Sequence, residues 1–214
     1  VATEVLGIDA QRVSVLTGPN LAGEIIRREP AASVIACSNE TNAHHLQDMC
    51  ATPYFRPYTS TDVIGCELAG SIKNVMALAV GMAIGLGMGD NTKATVITRG
   101  LAETARLGVA MGADPSTFAG LAGMGDLVAT CSSPLSRNRS VGELLGRGSS
   151  MDQARAITKT TAEGVSSAPA VLALAKKFQV DMPIVEAVVD VVQNSLPPAE
   201  VVKRLMNRTT RSEY

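Results

Sequence analysis

Residues 68–89 read LAGSIKNVMALAVGMAIGLGMG, and the only charge in the run is Lys73. A stretch this apolar must be hidden from water, which leaves a core helix or a membrane span. It is long enough for a span, which needs about 20 apolar residues. Gly70, Gly81, Gly85, Gly87 and Gly89 lower both its apolarity and its helix propensity. A lysine is costly in lipid, and no aromatic belt flanks the run. The expectation is a buried helix of a soluble fold and no membrane span, with the glycines letting neighbouring helices approach closely. Desolvation disfavours an ammonium, and a lysine tuned that way can serve as a general acid/base or a Schiff-base nucleophile. The plainer alternative is a lysine that snorkels from a helix end or pairs with a core carboxylate. Placement alone does not choose between them.

The remaining composition narrows the class. With 214 residues the chain has room for one substantial domain, or one and a half. A net charge of -1 gives no basic surface for nucleic acid and no acidic tail. Aromatics make up 3% and Trp is absent, so Ala, Val, Leu, Gly and Met must build the core, as suits closely packed helices. Cys37, Cys50, Cys66 and Cys131 lack CxxC spacing, and with His44 and His45 they make no zinc set. They read as reduced, mostly buried thiols of a cytoplasmic protein. The first residue is Val and no signal peptide follows, so the N-terminus is expected to be trimmed.

Along the chain the first sixty residues alternate. RVSVLT (12–17), ASVIACS (32–38) and YFRPY (54–58) read as short strands, the last an edge strand because of Pro57. Asn20 is expected to cap a helix with Glu24 in its first turn, and residues 42–51 to form another. No GxGxxG occurs, and three short strands do not make an independent doubly wound sheet. From Asp62 the pattern is helical: 62–86, a helix capped by Asn91 through about Met111 with Arg99, Glu103 and Arg106 on its more polar side, and one entered at Asp114-Pro115 and ending at Gly123. After a loop, GMGDLVATCSSPLS, come helices at 136–145, after Ser150, and at 164–178, 183–194 and 197–206, with a frayed end over 208–214. The fold class is therefore mainly α: residues 1–61 are the last α/β segment of a larger sheet domain, and 62–214 an all-helical domain.

Four places could carry chemistry. Lys73 is the first. The second is GMGDLVATCSSPLSRNRSVG (123–142), where Asp126, Thr130, Ser136, Arg137, Asn138 and Arg139 gather. Ser136 reads as an N-cap, so helix N–H groups would face an anion, and Arg137 could add a bidentate guanidinium. A solvated loop with a capped helix is the bland reading; Gly123 and Gly125 around Met124, and a lone Asp in apolar surroundings, tilt it toward a site for a small phosphorylated ligand. Asp126 is the natural charge partner for Lys73. The third is LTGPNLAGE (16–24), a strand running into a Gly-Pro turn; the fourth is TTAEGVSSA (160–168), where Glu163 could bind a ribose or amide, or simply cap a helix.

The long motifs GSIKNVMALAVGMAIGLGMGDNTKATVITRGLAE and GADPSTFAGLAGMGDLVATCSSPLSRNRSVG closely resemble the bacterial NAD(P)-dependent glycerol-3-phosphate dehydrogenase family. Its K-N, G-x-N-x-x-A-x-x-x-R-G-L-x-E, A-G-x-G-D-L-x-x-T-C and S-R-N-R motifs occur in order from about Gly18 to Pro198. The resemblance implies a Rossmann-type dinucleotide-binding domain followed by a helical substrate domain like the C-terminal domain of 6-phosphogluconate dehydrogenase. It implies an oxidoreductase that interconverts sn-glycerol 3-phosphate and dihydroxyacetone phosphate with NAD or NADP and feeds glycerophospholipid synthesis. It makes Lys73 the proton acceptor and a substrate contact, with Asp126, Ser136, Arg137, Asn138, Gly18 and Asn20 also binding substrate; Thr130, in the same stretch as Asp126, is expected to join them. Ala22, Arg137, Thr161 and Glu163 match cofactor-binding positions. The family usually has Ser or Thr at Asn20, and Val or Ile at Thr161. No metal site is expected, and the protein is expected to be a cytoplasmic homodimer. The family's glycine-rich nucleotide loop does not occur in this sequence, so the chain is expected to be a fragment, inactive by itself. Two other readings stay open: a related 2-hydroxyacid-type dehydrogenase, and a helical dimerisation or anion-binding module.

Overall fold

A computed structural model describes residues 2–158, 161–210 and 212. Thr160, and Arg211, Glu213 and Tyr214 of the expected frayed end, lie outside the described residues. The chain forms two compact units, Val1–Lys73 with Thr104–Thr130 and Asn74–Glu103 with Cys131–Tyr214.

The first unit carries the sheet. Helix α1 (Ala2–Leu6) and a tight turn at Ala10–Arg12, capped by Asp9, lead into β1 (Val15–Thr17). Then follow α2 (Ala22–Ile26), β2 (Ala31–Ala36), α3 (Glu40–Cys50) and β3 (Phe55–Ser60). The strand order is β1-β2-β3. Strand β1 runs antiparallel to β2, pairing Leu16 with Ile35, and β2 parallel to β3, pairing Val34 with Tyr58. Pro57 lies in β3, at an edge of this sheet, where a missing N–H is tolerated. Asn39 caps α3, its Oδ1 accepting from Asn42 N–H at 3.1 Å, so that helix starts two residues earlier than its pattern suggested. Asn20 caps nothing: α2 begins at Ala22 behind Leu21, without a side-chain cap.

The long apolar run is α4 (Val63–Gly85), followed by α5 (Asp90–Ala110). Asn91 falls inside α5 rather than capping it. Asp114 caps α6 (Pro115–Ala119) as its Asp-Pro pair suggested, accepting from Ser116 N–H at 2.8 Å, but α6 stops at Ala119. Most of the segment read as a loop, 123–136, is instead helical: a wide, π-helical turn, Leu121–Gly125, runs into α7 (Asp126–Ser132), and only 133–136 lie outside a helix. Gly123 serves a tight fold there, since a Cβ on it would overlap the backbone of Phe118. Ala36, Cys66 and Ala122 pack together with Val15, Val34 and Val63, joining sheet, α4 and wide turn in one apolar cluster.

The second unit contains α8 (Arg137–Gly146), α9 (Met151–Thr158), α10 (Glu163–Lys177), α11 (Pro183–Asn194) and α12 (Pro198–Met206). Ser150 and Gln153 cap α9 reciprocally, Ser150 Oγ accepting from Gln153 N–H and Gln153 Oε1 from Ser150 N–H. Ile184, Val185, Val188, Val189 and Val191 form one buried stripe on α11. The glycines of α4 meet those of α8: a Cβ on Gly81 or Gly85 would overlap the backbone of Arg139 or Glu143, and one on Gly142 or Gly146 that of Leu78 or Met82. The two helices therefore touch backbone to backbone.

Glu103 is not on a polar face. It is 2% exposed, and its carboxylate accepts from the N–H of Ile184 at 2.9 Å and of Val185 at 3.4 Å, capping α11 from a distant helix. A carboxylate at a helix N-terminus satisfies orphan donors and opposes the macrodipole. Glu103→Ala should lower stability by about 2–3 kcal/mol, the range of a lost charge-assisted cap, and Glu103→Gln by less. Urea midpoints at constant m-value measure this; equal midpoints for all three proteins would show that the cap contributes nothing.

Candidate active site

In the first unit, Lys73 Nζ donates to Asp126 Oδ2 at 2.5 Å. The lysine side chain is 19% exposed and the aspartate 4%. Thr130, one turn along α7, donates through Oγ1 to the other oxygen, Oδ1, at 3.1 Å. Asp126 is also the first residue of α7, where the positive end of the helix favours its charge. The carboxylate is thus held on both oxygens, one by the ammonium and one by the hydroxyl. Thr17, at the end of β1, reaches α4 one turn before Lys73: its Oγ1 lies 3.1 Å from where a Cβ on Gly70 would be. Pro19 Cδ lies 3.7 Å from the Cβ position of Gly125, so the Gly18-Pro19 turn borders the wide turn that delivers Asp126. Gly18 is buried with φ 130, a conformation that a side chain would strain. Asn20 is half-buried and Ala22, the first residue of α2, is exposed.

In the second unit a polar cluster centres on Asn138, which is 3% exposed. Its Nδ2 donates to Asn74 Oδ1 at 3.1 Å and, more weakly, to Glu163 Oε2 at 3.5 Å. Its Oδ1 accepts from Gly164 N–H at 2.8 Å. A Cβ on Gly164 would come 2.5 Å from Asn74 O, so α10 enters directly against α4. Arg137 Nη2 pairs with Glu163 Oε1 at 2.5 Å, with both side chains about half exposed, 53% and 42%. Ser136 caps α8, its Oγ accepting from Arg139 N–H at 3.3 Å, and Arg139 Nη1 donates to Ser132 O at 3.4 Å. The first turn of α8 therefore presents backbone N–H groups beside a guanidinium with donors to spare, an arrangement suited to an anion. Thr161 is exposed and lines a cavity of about 600 Å³ with Arg155, Ser166 and Gln193.

Of the residues singled out from the sequence, Lys73, Asp126 and Thr130 come together in one cluster, and Ser136, Arg137, Asn138 and Glu163 in another. Asn74 and Thr17 join these clusters without a role assigned from the sequence, although Asn74 stands in the K-N motif and Thr17 in the 16–24 stretch. Cys66 is no nucleophile: burial, together with the Asp62 charge, pushes its thiol from 9.0 to about 11. Among the described residues, no group of three or more His, Cys, Asp or Glu side chains could hold a metal ion.

Residues 62–203 match the family described as "NAD-dependent glycerol-3-phosphate dehydrogenase C-terminus", and residues 1–43 match the corresponding N-terminus family. A glycerol-3-phosphate dehydrogenase [NAD(P)+] of Streptomyces avermitilis is 59% identical over 213 residues, covering 100% of this chain and 63% of that protein. One from Corynebacterium diphtheriae is 59% identical, with 100% and 65% covered. The chain thus spans a little under two thirds of the length of these relatives. The crystal structure of the Coxiella burnetii glycerol-3-phosphate dehydrogenase superposes with a TM-score of 0.88 at 38% identity, over 91% of this chain and 60% of that one. The Saccharomyces cerevisiae enzyme gives 0.81 at 28% identity, with 94% and 60% covered.

Proposed function

Since this chain belongs to the NAD-dependent glycerol-3-phosphate dehydrogenase family, we propose that the protein interconverts sn-glycerol 3-phosphate and dihydroxyacetone phosphate with NAD or NADP, feeding glycerophospholipid synthesis. The observation that carries this reading is the mostly buried ammonium of Lys73 held 2.5 Å from a carboxylate. An ammonium so held is ready to polarise a ketone oxygen and give it a proton. In the reverse direction Nζ, in its neutral form, takes the proton of the C2 hydroxyl. Proton transfer of this kind contributes roughly 100- to 10,000-fold. Asp126 aims Nζ, and Thr130 holds the remaining carboxylate oxygen so that the aim is kept.

The first turn of α8 with Arg137 and Asn138 holds the phosphate, and Gly18 and Asn20 complete the substrate contacts. Ala22, Arg137, Thr161 and Glu163 would hold the nicotinamide cofactor. The half-exposed Glu163 carboxylate fits that role, because among the described residues Oε2 meets only a long contact from Asn138 and keeps acceptor capacity for an amide. When bound, the nicotinamide supplies hydride transfer at C2. The same reading makes the protein a cytoplasmic homodimer. Against a membrane span, 56% of the apolar window of α4, the one helix among the described residues long and apolar enough to cross a membrane, is buried inside the fold.

The test is an assay of the protein as its gene encodes it, with both cofactors, against glycerol 3-phosphate, glycerol and a 2-hydroxyacid such as lactate. Turnover of glycerol 3-phosphate alone is expected, and lactate turned over with equal kcat/KM would replace this reading with the hydroxyacid one. Arg137→Ala should raise KM for glycerol 3-phosphate by about 10- to 100-fold, the worth of a charge-assisted contact, with kcat changed far less. An unchanged KM would reduce Arg137 to a surface ion pair.

A further inference from the structure

We propose that Asp62 and Thr117 are positioning residues for the Lys73–Asp126 pair, although neither touches it. The inference rests on the reading of Lys73 as the proton-exchanging group. Lys73 and Asp126 reach each other by two routes that share one anchor. Asp62 opens α4, its Oδ1 accepting from Gly65 N–H at 2.9 Å. Three turns further along the same helix, roughly 16 Å at 1.5 Å per residue, stands Lys73. The other oxygen of Asp62 accepts from Thr117 Oγ1 at 2.6 Å and from Asp114 N–H at 3.0 Å. Helix α6 is thereby fastened to the start of the helix that carries the lysine. The contact is close: a Cβ on Gly65 would lie 3.0 Å from Thr117 Cγ2.

From α6 the constraint passes to Asp126 through backbone. Phe118 is 2% exposed, and its ring fills the space that a side chain at Gly108 of α5 would need. A Cβ on Gly123 would overlap the backbone of Phe118, coming 2.6 Å from its carbonyl carbon and nearer still to its Cα and O. The wide turn therefore lies directly on α6. It closes with Gly125 N–H donating to Gly120 O at 3.1 Å, and the next residue is Asp126. Between Thr117 and Asp126 every step is a backbone contact or a buried ring, and none can swing away to absorb a shift. Losing the Thr117 hydroxyl leaves α6 tied to Asp62 only through the Asp114 N–H, which loosens the turn and its aspartate against α4 and spoils the aim of Nζ.

Thr117→Val removes the hydroxyl at nearly constant volume, and Thr117→Ser keeps it. Assayed in the whole protein and corrected for the folded fraction, Thr117→Val should lower kcat about ten- to a hundredfold, the cost of a misplaced catalytic group. Its KM for glycerol 3-phosphate should stay within about twofold, because the phosphate contacts are untouched. Thr117→Ser should restore kcat. Asp62→Asn reads the same bond in a second variant, should Thr117→Val not accumulate in folded form. Wild-type kcat in Thr117→Val with only a lowered Tm would make the clamp merely structural and overturn the proposal, as would an equal loss in Thr117→Ser. Lys73→Arg run alongside separates the two ideas: if it is fully active, the reading of Lys73 is at fault, and if it is dead while Thr117→Val is active, only the clamp is.

Discussion

Lys73→Arg should abolish turnover while leaving the ion pair in place. A guanidinium keeps the positive charge beside Asp126, but it does not give up a proton in the range where enzymes work. The expected loss in kcat is about 100- to 10,000-fold, the full worth of general acid–base help. KM for glycerol 3-phosphate should move little, because the anion cluster around Arg137 and Asn138 is intact. Lys73→Ala should match it in kcat but not in stability. Removing the ammonium strands a carboxylate that is only 4% exposed, and breaking a buried pair costs about 3–5 kcal/mol. Comparing the two variants therefore separates chemistry from folding. Near-normal kcat in Lys73→Arg would show that charge alone is needed and that no proton passes through Nζ.

The pairing of Lys73 with Asp126 was readable because each is a lone charge in apolar sequence, and isolated charges bound for burial need one another. Helix limits that depend on local chemistry were readable too: Asp114-Pro115, Ser136 and Ser150 each cap as their side chains suggest. What escaped depends on contacts remote in sequence. Glu103 occupies a polar-looking position in α5, yet it is buried because the helix end it caps lies far along the chain, at Ile184. Asn20 looks like a cap but has no helix start to serve, since α2 begins two residues later. Residues 123–132 read as loop, whereas they are helical, and Gly123 is there because the backbone of Phe118 leaves no room for a Cβ. The lysine cluster was visible as chemistry; the turn that aims it was not, because a single π-helical turn of five residues is too short to leave a period in the sequence.

Glycine carries the other large expected effect. Replacing Gly142 by alanine should destabilise the fold, although local propensity predicts the reverse. Alanine in a helix interior is favoured over glycine by about 1 kcal/mol. Against that, a Cβ at Gly142 would overlap Leu78 O and come 3.0 Å from its carbonyl carbon and 3.1 Å from the Cα of Gly81. These are backbone atoms in the middle of α4, so no rotamer change relieves the clash and the two helices must part. Overpacking of this kind costs about 1–3 kcal/mol or more, and the rigid partner places this case at the upper end. A total stability of about 5–15 kcal/mol makes such a loss easy to read in a urea midpoint. Gly81→Ala should behave alike, and the double variant should cost less than the sum, because helices already parted by one methyl accept the second more cheaply. The effect should reach function. Asn138 lies one turn before Gly142 and Asn74 one turn before Leu78, so the bond between the two asparagines, 3.1 Å, sits at the end of the same contact. Parting the helices stretches it and displaces Arg137 beside it. Folded Gly142→Ala should therefore show a raised KM for glycerol 3-phosphate with kcat better preserved, the opposite split from Lys73→Arg. A raised midpoint with unchanged KM would mean that propensity outweighs packing and that the glycine contact holds nothing in place.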